Sequence, residues 1–302
     1  MSASDTIFAL ASGAGRAGLA VLRLSGPGAG EALCRLTDRT TPPQARRATL
    51  ATLKSPLDDE VLDRGLVLWF PEPGSFTGED VVELHLHGGL AVLAGVAEAL
   101  ASMPGLRPAE AGEFSRRAFL NQKMDLTEAE GLADLVAAET AAQRRQALRQ
   151  LSGGLSERYE AWRQALIAIS ADLEAAIDFG DEADVPADLE QTVVARIAAL
   201  VDSLAEHLDD DHRGERLREG LYIAIVGPPN VGKSSLLNAL ARRDAAIVAE
   251  TAGTTRDVIE VHMDLGGYPA TLADTAGLRE TADAVEDEGV RRALERAAAA
   301  DL

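Results

Sequence analysis

The sequence predicts a protein of three parts: an α+β domain at the N-terminus, an α-helical middle domain, and a P-loop α/β domain at the C-terminus. Three observations favour this fold class. Short strand-like segments alternate with helical ones over residues 1–120, helical periodicity dominates residues 121–215, and a phosphate-binding motif then follows an apolar strand. The predicted domains are residues 1–120, 121–215 and 216–302.

The N-terminal domain contains apolar and β-branched segments that are separated by glycine, proline and polar residues, as the strands of a small sheet are. The predicted strands are Thr6 to Ala11, Leu19 to Leu24, Thr49 to Leu53, Leu66 to Phe70 and Val81 to His87. Two stretches have helical periodicity instead, Pro27 to Leu36 and Leu90 to Met103. The mixture predicts a small α+β domain.

The middle domain is predicted from apolar residues at helical spacing. Its first helix begins near Thr127, which we predict to form a capping box with Glu130, and Gly153-Gly154 end this helical stretch. A second helix carries Leu166, Ile169, Leu173 and Ile177, and a third runs from Leu189 to Leu204. Residues 213–220 are predicted to be a linker.

Composition and charge limit the class of protein. The 302 residues are 46% hydrophobic, which suits several folded cores, and no apolar run is long enough to span a bilayer. Cys34 is the only cysteine, so an intramolecular disulfide is excluded and the cytoplasm is the expected compartment. We interpret Cys34 as a packing residue of a helix rather than as a nucleophile.

The segment Gly227 to Ser235 has the sequence of a phosphate-binding loop: four free positions lie between two glycines, and Lys-Ser follows. It connects the apolar strand Leu221 to Val226 with the helical stretch Ser235 to Arg242. The glycines allow backbone N–H groups to face the β-phosphate, Lys233 reaches the β- and γ-phosphates, and the Ser234 hydroxyl is placed to bind Mg²⁺. A plain turn rich in glycine and proline would not need Lys-Ser at this spacing.

Two further motifs follow in an order that is typical of nucleotide switches. Thr251 to Asp257 contains a Thr that can complete the shell of Mg²⁺, and Asp274 to Gly277 contains an Asp for its outer shell and a Gly for the γ-phosphate. The strands Val258 to Leu265 and Tyr268 to Ala273 are predicted to form a hairpin at Gly266-Gly267. This hairpin would bring Asp274 to a strand end, where α/β sheets bind their ligands.

These motifs together resemble the potassium-activated GTPases of the translation-factor class. The residues that carry the resemblance are Pro229-Asn230 with Gly232 to Ser235, Ala252 to Asp257, and Asp274 to Arg279. Within this class the upstream chain is similar to the MnmE (TrmE) family of tRNA uridine-modification GTPases, through Gly18 to Gly26, Trp69 to Leu84, and Asn121 to Leu126. The resemblance covers the chain from Asp5 onward and implies that the P-loop domain is a G domain.

The resemblance implies a GTP site with Mg²⁺ and K⁺. The matching GTP contacts are Asn230, Val231, Gly232, Lys233, Ser234, Ser235, Ala249, Glu250, Thr251, Ala252, Gly253, Thr254, Thr255, Asp274, Thr275, Ala276 and Gly277. The matching ligands of Mg²⁺ are Ser234 and Thr255, and those of K⁺ are Asn230, Ala249, Thr251 and Thr254.

The group that orients the attacking water is not the residue after the Asp-x-x-Gly motif, because Leu278 stands where a Gln or His could act. The resemblance implies that Glu286 is catalytic and acts through a bridging water, although Glu286 is equally interpretable as a helix N-terminal residue. It also implies that K⁺, rather than an arginine finger such as Arg256, supplies positive charge beside the phosphates.

For the N-terminal domain, the resemblance implies dimerisation and binding of a one-carbon donor, 5-formyl- or 5,10-methylene-tetrahydrofolate. The matching contacts are Arg23, Glu83 and Lys123. A carboxylate accepts pteridine N–H groups, and cations suit a glutamyl tail. By pattern alone Glu83 is a solvent-facing strand residue, and His85 and His87 on the same face are weak metal candidates without a third ligand.

The resemblance implies a GTPase that adds a carboxymethylaminomethyl-type group to C5 of the wobble uridine of certain tRNAs, together with the flavoprotein MnmG (GidA) in a heterotetramer. Two alternatives stay open: a K⁺-dependent GTPase switch in ribosome assembly without one-carbon chemistry, and an ATP-dependent P-loop enzyme. Since the net charge is −20 at pH 7, tRNA contacts would be local or shared with another protein. The candidate patches are Arg116-Arg117 and Arg144-Arg145 with Arg149, which are equally interpretable as solvated helix faces.

The G domain has no Asn-Lys-x-Asp motif for guanine, and the sequence ends soon after Asp274 to Gly277. We therefore expect a fragment of a longer protein, with an incomplete G domain and a last third that is poorly stable on its own.

Overall fold

The computed structural model describes residues 5–178, 189–209, 213–225, 231–241 and 260–274. The chain divides into two compact units, Met1–Ala129 and Glu130–Leu302. None of the helices in the described ranges combines the length and the apolar character that crossing a bilayer requires.

The first unit is built on a mixed sheet flanked by helices. Its strands are β1 (Thr6–Leu10), β2 (Ala17–Ser25), β3 (Thr49–Lys54), β4 (Val61–Phe70), β5 (Val81–Gly88) and β6 (Leu106–Pro108). Its helices are α1 (Ala29–Thr37), α2 (Leu90–Ala101) and α3 (Glu113–Leu120). The described strands are ordered β3-β4-β5-β2-β1-β6, and every neighbouring pair is antiparallel except β1 and β6.

Strand alternation divides this sheet into a core face and an opposite face. On β2 the side chains of Leu22 and Leu24 are buried with Val82 and Leu84 of β5, and α1 and α2 pack on the same face through Leu33, Leu36, Val96 and Leu100. Residues at odd-numbered positions of β2 and β5 therefore point away from these helices. Arg23 and Glu83 belong to that opposite face.

The predicted strands and helices of this unit are confirmed, with shifted ends: β4 extends back to Val61, and α1 begins at Ala29 rather than Pro27. Strand β6 and helix α3 were not predicted, because three strand residues and one charged helix of two turns carry little periodicity. Cys34 lies half-buried on α1, where burial raises the pKa of its thiol, consistent with a packing role.

The helical segment that follows contains α4 (Leu126–Ala137), α5 (Ala141–Leu151), α6 (Gly154–Asp178), α7 (Leu189–Leu208) and α8 (Arg213–Glu219). Helices α6 and α7 form a small core of Ile169, Val193 and Leu200 with Trp162 and Leu204. The break at Gly153-Gly154 is confirmed. The linker predicted at residues 213–220 is wrong, because residues 213–219 form α8.

Two capping boxes set helix starts in this segment. The Glu128 N–H donates to Asp125 Oδ1 at 2.8 Å and the Asp125 N–H donates to Glu128 Oε2 at 2.7 Å, so the predicted pairing of Thr127 with Glu130 is wrong by two residues. Thr140 and Gln143 form the second box, at the start of α5. The helical stretch predicted from Thr127 to Gly153 is therefore two helices, α4 and α5.

The remaining described elements are the strands β7 (Leu221–Ile225), β8 (Glu260–Leu265) and β9 (Tyr268–Asp274) and the helix α9 (Lys233–Ala241). The strands are ordered β7-β9-β8, with β7 and β9 parallel and β8 and β9 antiparallel. The predicted hairpin is confirmed: Gly266 and Gly267 have φ of 67° and 105°, the positive values that a two-residue hairpin turn of this kind requires.

The elbow between α4 and α5 contacts this hairpin turn within the second unit. Thr140 is buried, with 4% of the residue exposed, and its hydroxyl donates to the Gly267 carbonyl at 2.8 Å. The Gln143 side chain donates to the Arg218 carbonyl at 3.1 Å, and the Arg218 guanidinium lies 2.8 Å from Asp134 Oδ1. Helices α4 and α5 and the elbow between them thus contact both the hairpin and α8.

Candidate functional site

The described nucleotide candidates lie at one edge of the β7-β9-β8 sheet. Strands β7 and β9 run parallel, and their register pairs Ile225 with Asp274, so both strands end at the same edge. Helix α9 begins eight residues after the end of β7, at Lys233. The backbone therefore brings Asp274 beside the strand that precedes the P-loop, as a ligand site at the carboxyl ends of parallel strands requires.

The first turn of α9 carries the end of the predicted P-loop. Gly232 has φ of 95°, and its carbonyl accepts the Leu236 N–H at 2.9 Å. Lys233 is only 8% exposed as a residue, and Ser234 and Ser235 occupy the same first turn. The N–H groups of a first helical turn have no partners within the helix, and this is the arrangement that binds phosphate at helix N-termini.

Other nucleotide candidates lie outside the described residues: Asn230, residues 249–255, residues 275–277, and Glu286. The K⁺ ligands, Thr255 as a ligand of Mg²⁺ and the catalytic role of Glu286 therefore stay predictions. Within the described part of the chain, no group of three or more His, Cys, Asp or Glu side chains could hold a metal ion.

The N-terminal candidates Arg23 and Glu83 meet on the sheet face opposite α1 and α2. The register pairs them directly across β2 and β5. Glu83 Oε1 accepts bonds from Arg23 Nη2 at 2.7 Å and from Arg23 Nε at 3.0 Å. The Arg23 side chain is 28% exposed and the Glu83 side chain is 19% exposed. Glu83 is therefore not the plain solvent-facing residue that the alternation alone allows.

The β4–β5 loop, residues 71–80, connects this pair with the third candidate, Lys123. The Arg23 guanidinium lies over the Phe76 ring, 5.4 Å from its centroid. The Lys123 amine donates to the Pro73 carbonyl at 2.9 Å, and a Cβ at Gly78 would lie 3.2 Å from the Lys123 Cγ and Cδ atoms. All three predicted folate contacts thus touch β5 or this one loop.

The two histidines of β5 have carboxylate neighbours rather than a metal-binding arrangement. His85 Nε2 lies 3.4 Å from Glu83 Oε2, and His87 Nδ1 lies 2.8 Å from Asp63 Oδ1. Among the described residues, no third side chain joins His85 and His87 to form a metal site. His85 instead lies beside the Arg23–Glu83 pair, on the same face of the sheet.

Sequence reasoning missed a polar network that joins the β4–β5 loop to α3. Arg117 Nη1 donates to Glu79 Oε2 at 3.1 Å and to the Asp5 carbonyl at 2.8 Å, and its Nη2 donates to Glu113 Oε1 at 3.1 Å. Arg117 is 12% exposed. Its interpretation as part of a nucleic-acid patch is therefore wrong, since its donors are directed into the protein. Neighbouring Arg116 is exposed, and its side chain forms no such bond to another described residue.

The carboxylate of Glu113 anchors this network from the other side. Arg107 donates to Glu113 through Nη2 at 2.6 Å and through Nη1 at 2.9 Å, and the Glu110 N–H donates to it at 2.9 Å. The hydrogen bonds from Arg107 outweigh burial and, with those from the Glu110 N–H and from Arg117, lower the pKa of Glu113 to about 2. Glu113 is thus ionised at neutral pH.

Comparisons with known proteins match nearly the whole chain. Residues 6–123 match the family model described as the GTP-binding protein TrmE N-terminus, and residues 126–299 match the model described as the MnmE helical domain. Many curated proteins are similar, and several of them are named tRNA modification GTPase MnmE.

Three of these relatives show the extent of the similarity. The protein of this name from Rhodospirillum rubrum is 64% identical, over 99% of this chain and 68% of its own length. That from Parvibaculum lavamentivorans is 61% identical, over 99% of this chain and 68% of its own length. A subunit of the mitochondrial 5-taurinomethyluridine tRNA synthase of Danio rerio is 55% identical, over 99% of this chain and 59% of its own length.

Proposed function

Because the chain belongs to the MnmE family of tRNA modification GTPases, we propose that it binds and hydrolyses GTP in the modification of the wobble uridine of certain tRNAs. The partner would be the flavoprotein MnmG (GidA), the group added at C5 would be of the carboxymethylaminomethyl type, and the protein would act as a dimer through its N-terminal unit.

The N-terminal unit would bind the tetrahydrofolate donor, and the pairing of Arg23 with Glu83 is the observation that carries this proposal. A pteridine presents N–H donors and ring acceptors side by side, which suits a carboxylate and a guanidinium at adjacent strand positions. Phe76 adds an aromatic surface, and Lys123 adds a cation for the glutamyl tail. When bound, the folate supplies the one-carbon unit.

The nucleotide unit would bind the phosphates of GTP at the first turn of α9. Lys233 would neutralise phosphate charge, Ser234 would hold Mg²⁺ with Thr255, and K⁺ would lie against the loop that contains Ala249 to Thr254. This assignment rests on the register of Ile225 with Asp274 and on the start of α9 at Lys233.

The tRNA contact would include exposed arginines of α5. Arg144, Arg145 and Arg149 are exposed, and no ion pair joins them to another described residue. In a chain of net charge −20, cations that pair with no described carboxylate are good candidates to contact phosphates.

Mass spectrometry of tRNA nucleosides tests this function. The chain would be incubated with the flavoprotein, GTP, K⁺, a folate donor and unmodified tRNA. We expect a C5-modified wobble uridine that depends on GTP and on the folate. Hydrolysis of GTP in K⁺ but not in Na⁺, by a chain that binds no folate, would favour the ribosome-assembly switch instead.

A further inference from the structure

The β4–β5 loop carries two of the features on which the proposed folate site depends. Phe76 lies against Arg23, and Pro73 and Gly78 lie against Lys123. A loop of ten residues can adopt many conformations, so these contacts form together only if the loop is held in one of them. What holds the loop therefore determines whether the site is preformed.

Bonds within the loop fix only part of its shape. The Glu72 N–H donates to Asp80 Oδ1 at 3.0 Å, and the Gly74 N–H donates to the Pro71 carbonyl at 3.2 Å. These bonds lie near the base of the loop and its first turn. Within the stretch from Ser75 to Glu79, the Ser75 hydroxyl donates to the Glu79 carbonyl and the Glu79 N–H donates to Thr77 Oγ1 at 3.3 Å. These bonds do not tie the stretch to the rest of the unit, so its position depends on bonds to other elements.

Those outside bonds come from β2, from α3 and from Asn121, which follows α3. The Ser25 hydroxyl, which is fully buried, lies 2.7 Å from Thr77 Oγ1 and 2.7 Å from Glu79 Oε2. The Asn121 side chain donates to the Thr77 carbonyl at 2.8 Å. Arg117 then binds both carboxylate oxygens of Glu79, at 3.3 and 3.1 Å. Its bond is the one charged link between α3 and this part of the loop among the described residues.

Arg117 is itself fixed in place. Its Nη2 group is bonded to Glu113, which Arg107 holds from the other side, and its Nη1 group reaches the Asp5 carbonyl at 2.8 Å. Because both Nη groups of Arg117 are hydrogen-bonded, its guanidinium keeps one orientation. Its bonds to carboxylates are charge-assisted and therefore stronger than neutral hydrogen bonds. The loop is thereby attached to a rigid group.

We propose that Arg117 is a positioning residue of the one-carbon donor site, which holds Glu79 and with it the β4–β5 loop so that Phe76 meets Arg23 and Gly78 meets Lys123. Arg117 does not touch the donor. This inference rests on the proposed function of the N-terminal unit, and it adds a residue outside the direct folate contacts.

Calorimetric titration of the 302-residue chain with 5-formyltetrahydrofolate tests the inference. We compare the wild type with Glu79→Gln, Arg117→Lys and the double variant. Glu79→Gln removes the negative charge of the pair and Arg117→Lys removes its forked donor, while each retains a polar side chain of similar length, and we expect Kd to rise roughly tenfold or more. Arg116→Lys is the matched control on the same helix, and its Kd should equal that of the wild type.

Two readouts separate positioning from general destabilisation. If the two residues act through one bond, the double variant weakens binding no further than either single variant. Hydrogen exchange should also become faster at residues 75–79 in the variants while β2 and β5 stay protected. Additive losses of affinity, or slow exchange in the loop of every variant, would overturn the positioning role.

Binding by the wild type shows whether a negative result concerns the role of Arg117 alone or the whole proposed folate site. Saturable binding by the wild type that persists unchanged in Glu79→Gln overturns the inference alone. A folded wild-type chain that binds no 5-formyltetrahydrofolate overturns the proposed folate site and this inference with it.

Discussion

Arg23 of β2 and Glu83 of β5 face each other in register, with Arg23 Nη2 2.7 Å from Glu83 Oε1. The pair lies on the sheet face that α1 and α2 leave uncovered, and each side chain fixes the orientation of the other. A ligand that needs both a carboxylate and a guanidinium thus meets groups whose rotamers are already selected, which reduces the entropy lost on binding.

The Arg23–Glu83 pair should contribute more to stability than an exposed helical pair. We expect Arg23→Ala to lower the free energy of unfolding by about 1–2 kcal/mol, because it leaves a mostly buried carboxylate without its cation. Arg35→Ala breaks the exposed pair with Glu31 and should cost less than about 0.5 kcal/mol. Urea unfolding of both variants measures the difference, and equal costs would contradict this account of the pair.

The close approach of Gly78 to Asn121 and Lys123 predicts a position-specific effect of alanine. Gly78 has φ of 79°, and a Cβ there would lie 3.1 Å from Asn121 Cβ, whereas Gly105 has φ of 78° and open space around it. Both Gly→Ala changes cost about 1 kcal/mol through the left-handed backbone. Only Gly78→Ala should also weaken binding of 5-formyltetrahydrofolate. Equal binding by both variants would show that the contact has no role in the site.

The Glu113 carboxylate predicts a window of acid sensitivity. Its folded-state pKa of about 2 lies below the ordinary value of 4.5, so its stabilising contribution is full above about pH 4.5 and is lost as the pH falls toward 2. Glu113→Gln should therefore cost about 2 kcal/mol at pH 7 and progressively less below pH 4.5. Urea unfolding at several pH values measures this, with the exposed Glu31→Gln as control. A cost that does not change with pH would contradict the assignment.

The bond from Thr140 to Gly267 predicts that the start of α5 stabilises the β8–β9 hairpin. Thr140→Val removes both the cap of α5 and the bond to the hairpin, so we expect a loss of about 1–2 kcal/mol. Hydrogen exchange of the amides of β8 and β9 should become faster. Ser152→Ala, at the other end of α5, is the control, and hairpin exchange that is as fast in this variant would refute the link.

Lys233 at the start of α9 predicts the behaviour of the nucleotide site. Lys233→Ala should raise the Kd for a fluorescent GTP analogue by about a hundredfold or more, because a phosphate charge loses its cation. Lys54→Ala removes a lysine of the first unit and should leave this Kd unchanged. Tight binding by Lys233→Ala would exclude α9 as the phosphate site.

Most of the N-terminal sheet could be predicted because its strands alternate in the way that a half-buried sheet requires, as in Leu22, Arg23 and Leu24. The pairing of Arg23 with Glu83 could not, since register across β2 and β5 is set by contacts distant in sequence. The hairpin at Gly266 and Gly267 was predictable because its turn needs two residues with positive φ.

Each error has an identifiable physical cause. Asp125 and Glu128 satisfy the same capping pattern as Thr127 and Glu130, and sequence spacing does not decide between overlapping boxes. Residues 213–219 looked like a linker because this short helix contains a glycine and mostly charged residues, which give no apolar periodicity. Arg117 looked like a surface cation for two reasons. Its partner Glu79 lies on the distant β4–β5 loop, and its partner Glu113 lies one turn earlier on α3, a helix that the sequence did not predict.

Calorimetric titration of the chain with 5-formyltetrahydrofolate tests the central claim most directly. We predict saturable binding by the wild type that is lost in Arg23→Ala and in Lys123→Ala and retained in Lys54→Ala, with circular dichroism showing that every variant is folded. The absence of binding by the folded wild type, or equal binding by all four proteins, would contradict the assignment of the N-terminal sheet face as a one-carbon donor site.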